Sequence, residues 1–417
     1  MGSWGEVDAL LAEGIATRTF PGAAVAIGVG AETLRLRAAG AFTYAADGPA
    51  VTATGSRFDL ASLTKVVATT TAVMLLEERG LLSLDATVAS YYPAFEQKGK
   101  GEVTLRQLLT HTSGLPAFRE YEREGITSRQ GIIDAILAEP LYSAPGDKFV
   151  YSDFGPIVLA LLIAEVTGMP WEAWCAENIF TPLGMHNTGF RAVPPYIIRP
   201  EQRDGDGGDD DGGASRCVPT EVDEIFRKRL VQGEVHDERA WCLGGAAGHA
   251  GLFSTAEDLC KFAAMMACEG VPPQGGARFL QAETIRRFTA VAHAASGRAL
   301  GWDTKSAGGY TSAGEATDGF GPRSYGHTGF TGTSIWIDPD SKLWCVLLTN
   351  RVHPSRNSVR KRFHFWHRFI LKKPEHLPRQ ARDKQRETGE KKTRFRRYRR
   401  WCGASGHAAA RRQGSWL

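Results

Sequence analysis

Long apolar runs are missing from this chain of 417 residues. None reaches the roughly 18 residues that a membrane-spanning helix needs. The first residues, MGSWGEVDALLAEG, place acids early and lack a basic start followed by an apolar block. The expectation is therefore a chain without a secretory signal, located in the cytoplasm. Cysteine is scarce: there are 7, an odd number, and no two stand in a C-x-x-C pair. That argues for free thiols in a reducing compartment rather than a disulfide framework. Also absent are a Walker loop, a Rossmann fingerprint, an HExxH helix and a G-x-S-x-G elbow. The chemistry expected is free of cofactor and metal.

What is present is ordinary for a globular protein, with 42% hydrophobic and 23% charged residues. The net charge of +4 conceals an asymmetry. From Arg351 to the end there are 21 Lys and Arg against 4 Asp and Glu, whereas the preceding residues carry 29 against 42. The body is acidic and the tail basic, so the whole-chain isoelectric point says little about what the body binds.

Along the chain, Ser3 to Glu6 forms a possible capping box, and Val7, Leu10, Leu11 and Ile15 follow at helical spacing. GAAVAIGVG and TLRLRAAGAFTY read as two strands joined by a short turn, and SIWIDPDSKLWCVLLTN as a late hairpin. Helices dominate from Ser62 to about Ile163. The expected fold class is α/β of the α+β type: one antiparallel sheet built from both ends of the chain and flanked by helices, plus an all-helical lobe. The boundaries expected are a domain over 1–372, with a sheet lobe from about 1–55 and 296–372 and a helical lobe from about 56–295. Residues 203–213, RDGDGGDDDGG, read as a flexible acidic surface loop. They lack the spacing and closing Glu of an EF-hand. Val359, Phe363, Trp366 and Ile370 form one helix face. The basic, aliphatic-poor tail at 373–417 should not fold alone.

One stretch poses a question. In FDLASLTKVVATTT, Ser62 and Lys65 open a helix that is apolar nearly all round. A lysine at the mouth of a buried helix is costly unless something uses it. Three residues apart, the two side chains share a face and can meet. A serine needs a base to become a nucleophile, and a buried lysine can lower its pKa to serve. The helix N-terminus adds N–H groups for an oxyanion. S-x-x-K alone is common by chance, the bland alternative being an N-cap serine with a surface lysine.

Two further stretches strengthen the chemical reading. KFVYSDFGPIVLALL puts Tyr151, Ser152 and Asp153 in a loop before an apolar helix. SYGHTGFTGTSIWIDP puts His327, Thr328 and Gly329 at the start of a strand. In this order and at these separations, the three motifs resemble those of the serine β-lactamase and penicillin-binding-protein superfamily. The likeness is strongest to class C β-lactamases, related DD-peptidases and the β-lactamase-like (family VIII) esterases. FPGAAVAIG, LLTHTSGLPA, FTPLGMHNTGF and GGAAGHAGLFSTAEDLCKF add to the resemblance, which covers about Phe20 to Asn357.

The resemblance implies a β-lactamase/transpeptidase-like fold and an acyl-enzyme. Ser62 would be the nucleophile, and Lys65 and Tyr151 would act together as general base and acid. The backbone N–H groups of Ser62 and Phe330 would form the oxyanion hole. Asp153, His327, Thr328 and Gly329 would line the substrate site. The sequence departs from the family pattern twice. Asp153 stands where Y-x-N has asparagine, and an ionised Asp153 would favour charged Lys65 and shift the burden to Tyr151. His327 replaces the lysine of K-T-G, and an unperturbed histidine is mostly neutral at pH 7. Both changes favour esters, or peptides bound by other contacts, over penicillins, with imidazolium formation toward pH 6 expected to help carboxylate-bearing substrates.

Other histidines have plainer readings. His111 ends a helix and turns the chain. His249 lies in a glycine-rich segment that can edge the cleft. His236 and Asp237 could mimic part of a triad. His364 and His367 share a helix turn and could bind metal, but with no nearby cysteine pair the expectation is a packed or solvated pair. The partners expected are a small-molecule ester, amide or peptidoglycan-type substrate, with no specific nucleic acid and only non-specific anionic contacts through the tail. Two alternatives stand beside this: a catalytically weak penicillin-binding homologue, and a body whose tail binds nucleic acid or anionic surfaces.

Overall fold

The computed structural model describes residues 4–191, 214–305 and 320–357. The acidic segment 203–213, the helix face from Val359, the pair His364 and His367, and the tail 373–417 lie outside the described residues.

Among the described residues the strands are β1 (Gly22–Val29), β2 (Glu32–Gly40), β3 (Phe58–Asp59), β4 (Gly189–Phe190), β5 (Val222–Asp223), β6 (Arg229–Leu230), β7 (Leu252–Ser254), β8 (Asp303–Thr304), β9 (Tyr325–Gly329), β10 (Thr333–Ile337) and β11 (Leu343–Thr349). The α-helices are α1 (Gly5–Ala16), α2 (Thr71–Glu78), α3 (Val88–Tyr91), α4 (Leu105–Leu109), α5 (Arg129–Ala138), α6 (Phe154–Thr167), α7 (Trp171–Cys175), α8 (Glu238–Cys242), α9 (Ala256–Ala267) and α10 (Ala282–Thr289).

The main sheet has the order β2-β1-β11-β10-β9-β8, and its strand pairs are antiparallel. β1 and β11, far apart in sequence, lie side by side in it, where Ala23 pairs with Thr349 and Val29 with Leu343. β1 is buried along its whole length. Alternation explains how one strand serves two layers. Ala23, Val25, Ile27 and Val29 join Leu10 and Leu11 of α1 in one apolar cluster. Ala24 and Ala26 face the other way, into the larger core that contains Phe262 and Met266 of α9. α9 falls inside the stretch 56–295, yet it packs on β1, β10 and β11. β2 ends the sheet, and Arg35 on it pairs with Asp8 at 2.7 Å. Charge on an edge strand discourages pairing with a second sheet.

The second layer is organised by buried helix. Residues Lys65–Thr70 form a π-helical turn that continues into α2. Every residue from Leu63 to Leu76 is buried. Beside it runs α6, apolar on nearly all sides and ended by Gly168 at φ +65°. The glycine-rich segment between α8 and β7 presses into the same region. A Cβ on Gly248 would collide with the Pro156 carbonyl, so only glycine fits there. The Gly248 carbonyl accepts the Thr69 hydroxyl at 2.6 Å.

Candidate active site

β3 delivers the chain to the site. Phe58 and Asp59 pair with Ser254 and Phe253 of β7. Ala61 then adopts φ +46°, a left-handed conformation unusual for a residue with a Cβ. Its N–H is held at 2.8 Å by the Asp59 carboxylate. This elbow leaves Ser62 half-buried, immediately before the first helical turn.

Lys65 follows one turn later, 2% exposed. Its Nζ lies 2.8 Å from Ser62 Oγ, 2.9 Å from Asp153 Oδ1, 3.3 Å from the His249 carbonyl oxygen and 5.0 Å from the centre of the Tyr151 ring. The π turn begins at this residue. Such turns recur at functional sites because they re-aim side chains within an otherwise regular helix. Burial pulls the Lys65 ammonium toward neutrality, but Asp153 and Tyr151 outweigh it and raise its pKa above the ordinary 10.5. Asp153 is pushed up by burial and more strongly down by Lys65, His249 and Arg239, so it stays below its ordinary 3.8. Lys65 is therefore an ammonium beside a carboxylate at neutral pH.

Tyr151 is clamped between rings. The His111 ring centre is 4.6 Å away and that of His327 6.0 Å. The Arg298 guanidinium sits 5.5 Å from the centre of the Tyr151 ring. His111 turns the chain after α4 at φ +57° and accepts the Ser152 N–H on Nδ1 at 3.1 Å. The Ser152 hydroxyl donates to the Pro116 carbonyl at 2.6 Å and accepts the Phe154 N–H, fixing the loop where α6 begins. His111 thus holds Tyr151 in place, as its helix-ending position suggested.

His327, Thr328 and Gly329 lie at the end of β9 and not at the start of a strand. The next strand begins only at Thr333, after a tight turn. That turn is pinned to the nucleophile's approach. The Thr331 hydroxyl donates to the Asp59 carbonyl at 2.7 Å and the Thr333 hydroxyl to the Leu60 carbonyl at 2.9 Å. A Cβ on Gly329 would collide with the Leu60 carbonyl and the Thr333 hydroxyl, so glycine permits the close approach. Phe330 is half-exposed at the rim, its ring 5.7 Å from that of His236.

The expected acid-dependent charge on His327 is not supported by its surroundings. The ring is 3% exposed, and Nδ1 donates to the Thr328 carbonyl at 2.8 Å. Burial, with Arg298 and Lys65 nearby, holds its pKa well below 6.5. An imidazole in this place stays neutral through pH 6, because a third cation would have to be desolvated beside two others.

Behind Lys65 runs a row of charges that the sequence reading did not assemble. Arg239 Nη2 is 3.1 Å from Asp153 Oδ2 and 3.3 Å from Asp237 Oδ2. Asp237 Oδ1 reaches His249 Nε2 at 3.0 Å and caps α8 through the Ala240 N–H at 2.9 Å. His249 takes part through its ring and through its carbonyl on Lys65. His236 and Asp237 are not a catalytic couple, since His236 Nε2 pairs with Glu221 at 2.8 Å. Donor atoms of Asp153, Asp237 and His249 lie within 4.8 Å of one another. The spacing could suit a cation, but Lys65 and Arg239 already supply two positive charges there. Arg239 and Arg298 carried no motif; the only available signal for Arg239 was an acid at 153 that needed more than one counter-charge.

The described cysteines, Cys175, Cys217, Cys242, Cys260, Cys268 and Cys345, are free thiols. No single helix among the described residues is long and apolar enough to cross a membrane.

The chain is 32% identical over 327 residues to an Escherichia coli (strain K12) protein named "Putative D-alanyl-D-alanine carboxypeptidase", covering 73% of this chain and 71% of that one. A Salmonella typhimurium protein of the same name is 31% identical over 322 residues, covering 72% and 70%. Among solved structures, the fold is shared with EstCE1, described as a hydrolase with promiscuous acyltransferase activity. The TM-score is 0.66 at 20% identity, over 88% of this chain and 97% of that one. A class C beta lactamase from Rhodobacter sphaeroides gives a TM-score of 0.62 at 20% identity, over 87% and 97%. The Beta-lactamase family profile matches residues 7–365. This span contains both halves of the sheet and every residue of the cluster around Ser62, and the chain belongs to the serine hydrolases of the beta-lactamase family.

Proposed function

We propose that this hydrolase cleaves an ester, or an amide of peptidoglycan type, through an acyl-enzyme on Ser62. The observation that carries the proposal is Ser62 Oγ at 2.8 Å from Lys65 Nζ, with the Tyr151 ring against the same ammonium. In the reactive form Lys65 and Tyr151 hold one proton fewer than their fully protonated state. The two groups share that deficit as a coupled pair. Ser62 Oγ bonds to the substrate carbonyl carbon and its proton fills that deficit. The carbonyl oxygen becomes an oxyanion facing the backbone N–H groups of Ser62 and Phe330. As the tetrahedral centre collapses, the alcohol or amine leaves with the proton. Water then attacks the acyl carbon by the same route and restores Ser62.

Neutral substrates suit this site better than carboxylate-bearing ones. His327 stands where a fixed lysine charge would be and stays uncharged. The exposed rings of Phe118 and Phe330 offer apolar surface at the rim, Phe118 lying 5.2 Å from the Arg239 guanidinium. The names of the two bacterial relatives, 32% and 31% identical, support a peptidase reading, which would need a contact other than His327 for the substrate's terminal carboxylate. The test is intact mass after a fluorophosphonate or a penicillin, together with turnover of a short-chain p-nitrophenyl ester. One adduct on Ser62 is expected, lost together with turnover in Ser62→Ala. Retention of most activity in that variant would sink the mechanism.

A further inference from the structure

Asp153 is a strange partner for a lysine that must exchange protons, because a full negative charge at 2.9 Å holds the proton on Lys65. The other oxygen of the same carboxylate is taken by Arg239 at 3.1 Å. Arg239 is itself 11% exposed at its side chain and reaches Asp237 at 3.3 Å. Burial works against the Arg239 charge, but Asp237, Asp153 and Glu122 overcome it and keep it cationic. The row thus alternates in sign from Lys65 through Asp153 and Arg239 to Asp237, and ends on His249. The other titratable or charged groups facing it are His111, His327 and Arg298 on the Tyr151 side and Asp59 near Asp237. The two histidines are held neutral by burial and by those cations; Lys65, His249 and Arg239 all act on Asp153, and Arg239 is the group bonded to its second oxygen, at 3.1 Å.

We propose that Arg239 is a positioning residue for the reaction. By sharing Asp153 with Lys65, it fixes the carboxylate's pose and limits how tightly the Lys65–Tyr151 pair holds its proton. This rests on the acyl-enzyme reading above and explains how an aspartate is tolerated at 153. Without the guanidinium, Asp153 turns its undivided charge on Lys65, and Asp237 loses its buffer against a second carboxylate. With asparagine at 153 there is no charge to divide, and Arg239 has nothing to do for Lys65.

The experiment is a double-variant cycle on the full chain with a neutral p-nitrophenyl ester, reading kcat/KM from pH 5 to 10. Fluorophosphonate labelling of Ser62 is followed by mass in every variant. Arg239→Gln is expected to move the acidic limb up by about one pH unit and to cost about tenfold at pH 7. Asp153→Asn moves the limb down. Adding Arg239→Gln to it changes kcat/KM by no more than about twofold, a non-additivity that marks coupling through the shared carboxylate. Arg239→Lys retains the limb within a few tenths of a unit. Should Arg239→Gln fail to fold, the charge-balanced Asp153→Asn, Arg239→Gln variant decides, its limb coinciding with that of Asp153→Asn. An unmoved limb in Arg239→Gln, or an equal shift in both backgrounds, overturns the assignment while intact labelling of Ser62 leaves the hydrolase reading standing. No labelling of the parent chain removes that reading and this one with it.

Discussion

The Asp153 carboxylate lies 2.9 Å from the Lys65 ammonium, and the two side chains are 17% and 2% exposed. Each shifts the other toward its charged form: Lys65 is raised above 10.5 and Asp153 lowered below 3.8, despite burial acting against both. The sign of the stability effect follows. A depressed carboxylate contributes stability that is full above its unfolded pKa and lost as pH falls through the folded value. The raised ammonium contributes stability that is full below about 10.5 and lost as pH climbs past its folded value.

Asp153→Asn should therefore lose stability at pH 7 and lose less than the parent on further acidification below about pH 4. Breaking a buried pair costs about 3–5 kcal/mol. Asparagine retains an acceptor for Lys65, so about 2 kcal/mol is expected, a fall of a few degrees in Tm. Tm measured from pH 3 to 8 decides. Equal melting at pH 7 with an unchanged acid slope would mean that the pair contributes nothing net.

The elements legible in the sequence were those with a short period or a short spacing. β1, β2 and the β10–β11 hairpin show as alternating or apolar runs. Ser62 and Lys65 meet because three residues on a helix span one turn. Arg239, Asp237 and His249 were not legible as a unit. Their meeting depends on α8 and the glycine-rich segment folding back on the buried helix, and no local rule encodes a contact such as Asp153 to Arg239 across 86 positions. His327 was legible as a residue but not as an environment. Its neutrality comes from burial beside Lys65 and Arg298, which are distant in sequence.

The pinning of the β9–β10 turn predicts a catalytic effect with little loss of binding. In Gly329→Ala the new methyl must push the turn away from the Leu60 carbonyl. The N–H of Phe330, next in the chain, moves with it. Loss of one oxyanion donor costs about 10²–10³ in kcat. A fall of that order, with KM within about threefold, is expected from steady-state ester kinetics. A fall in kcat/KM carried by KM alone would place the oxyanion donors elsewhere.

Lys100 tests a purely structural use of a buried cation. Its side chain is fully buried, and Nζ donates to the carbonyls of Leu137 and Glu139 at 2.7 Å each, closing the C-terminal end of α5. Lys100→Met keeps the stem and removes both charge-assisted bonds, leaving two carbonyls to find new donors. A loss of about 2–4 kcal/mol in denaturant unfolding is expected, with kcat unchanged because Lys100 bonds to the end of α5 and not to the cluster around Ser62. Coincident loss of kcat in the folded variant would show that α5 supports the site.

His327 supplies the last test, because its burial removes the pH trend that its residue type alone suggests. A histidine at its ordinary 6.5 would gain charge between pH 8 and 6 and draw carboxylate-bearing substrates. Here burial, Arg298 and Lys65 hold it neutral well below 6.5, and its Nδ1–H is already committed to the Thr328 carbonyl. The ratio of kcat/KM for a penicillin to that for a neutral ester should consequently stay flat from pH 8 to 6. His327→Gln keeps a neutral side chain of similar reach and should preserve ester turnover within about tenfold. His327→Lys forces an ammonium into a site that already holds two cations. An uncompensated buried charge costs several kcal/mol, so that variant should melt well below the parent even if it gains on penicillins. A penicillin-to-ester ratio rising tenfold as the parent is taken from pH 8 to 6 would show that the imidazole does titrate there. The recognition of carboxylates would then rest on His327 after all.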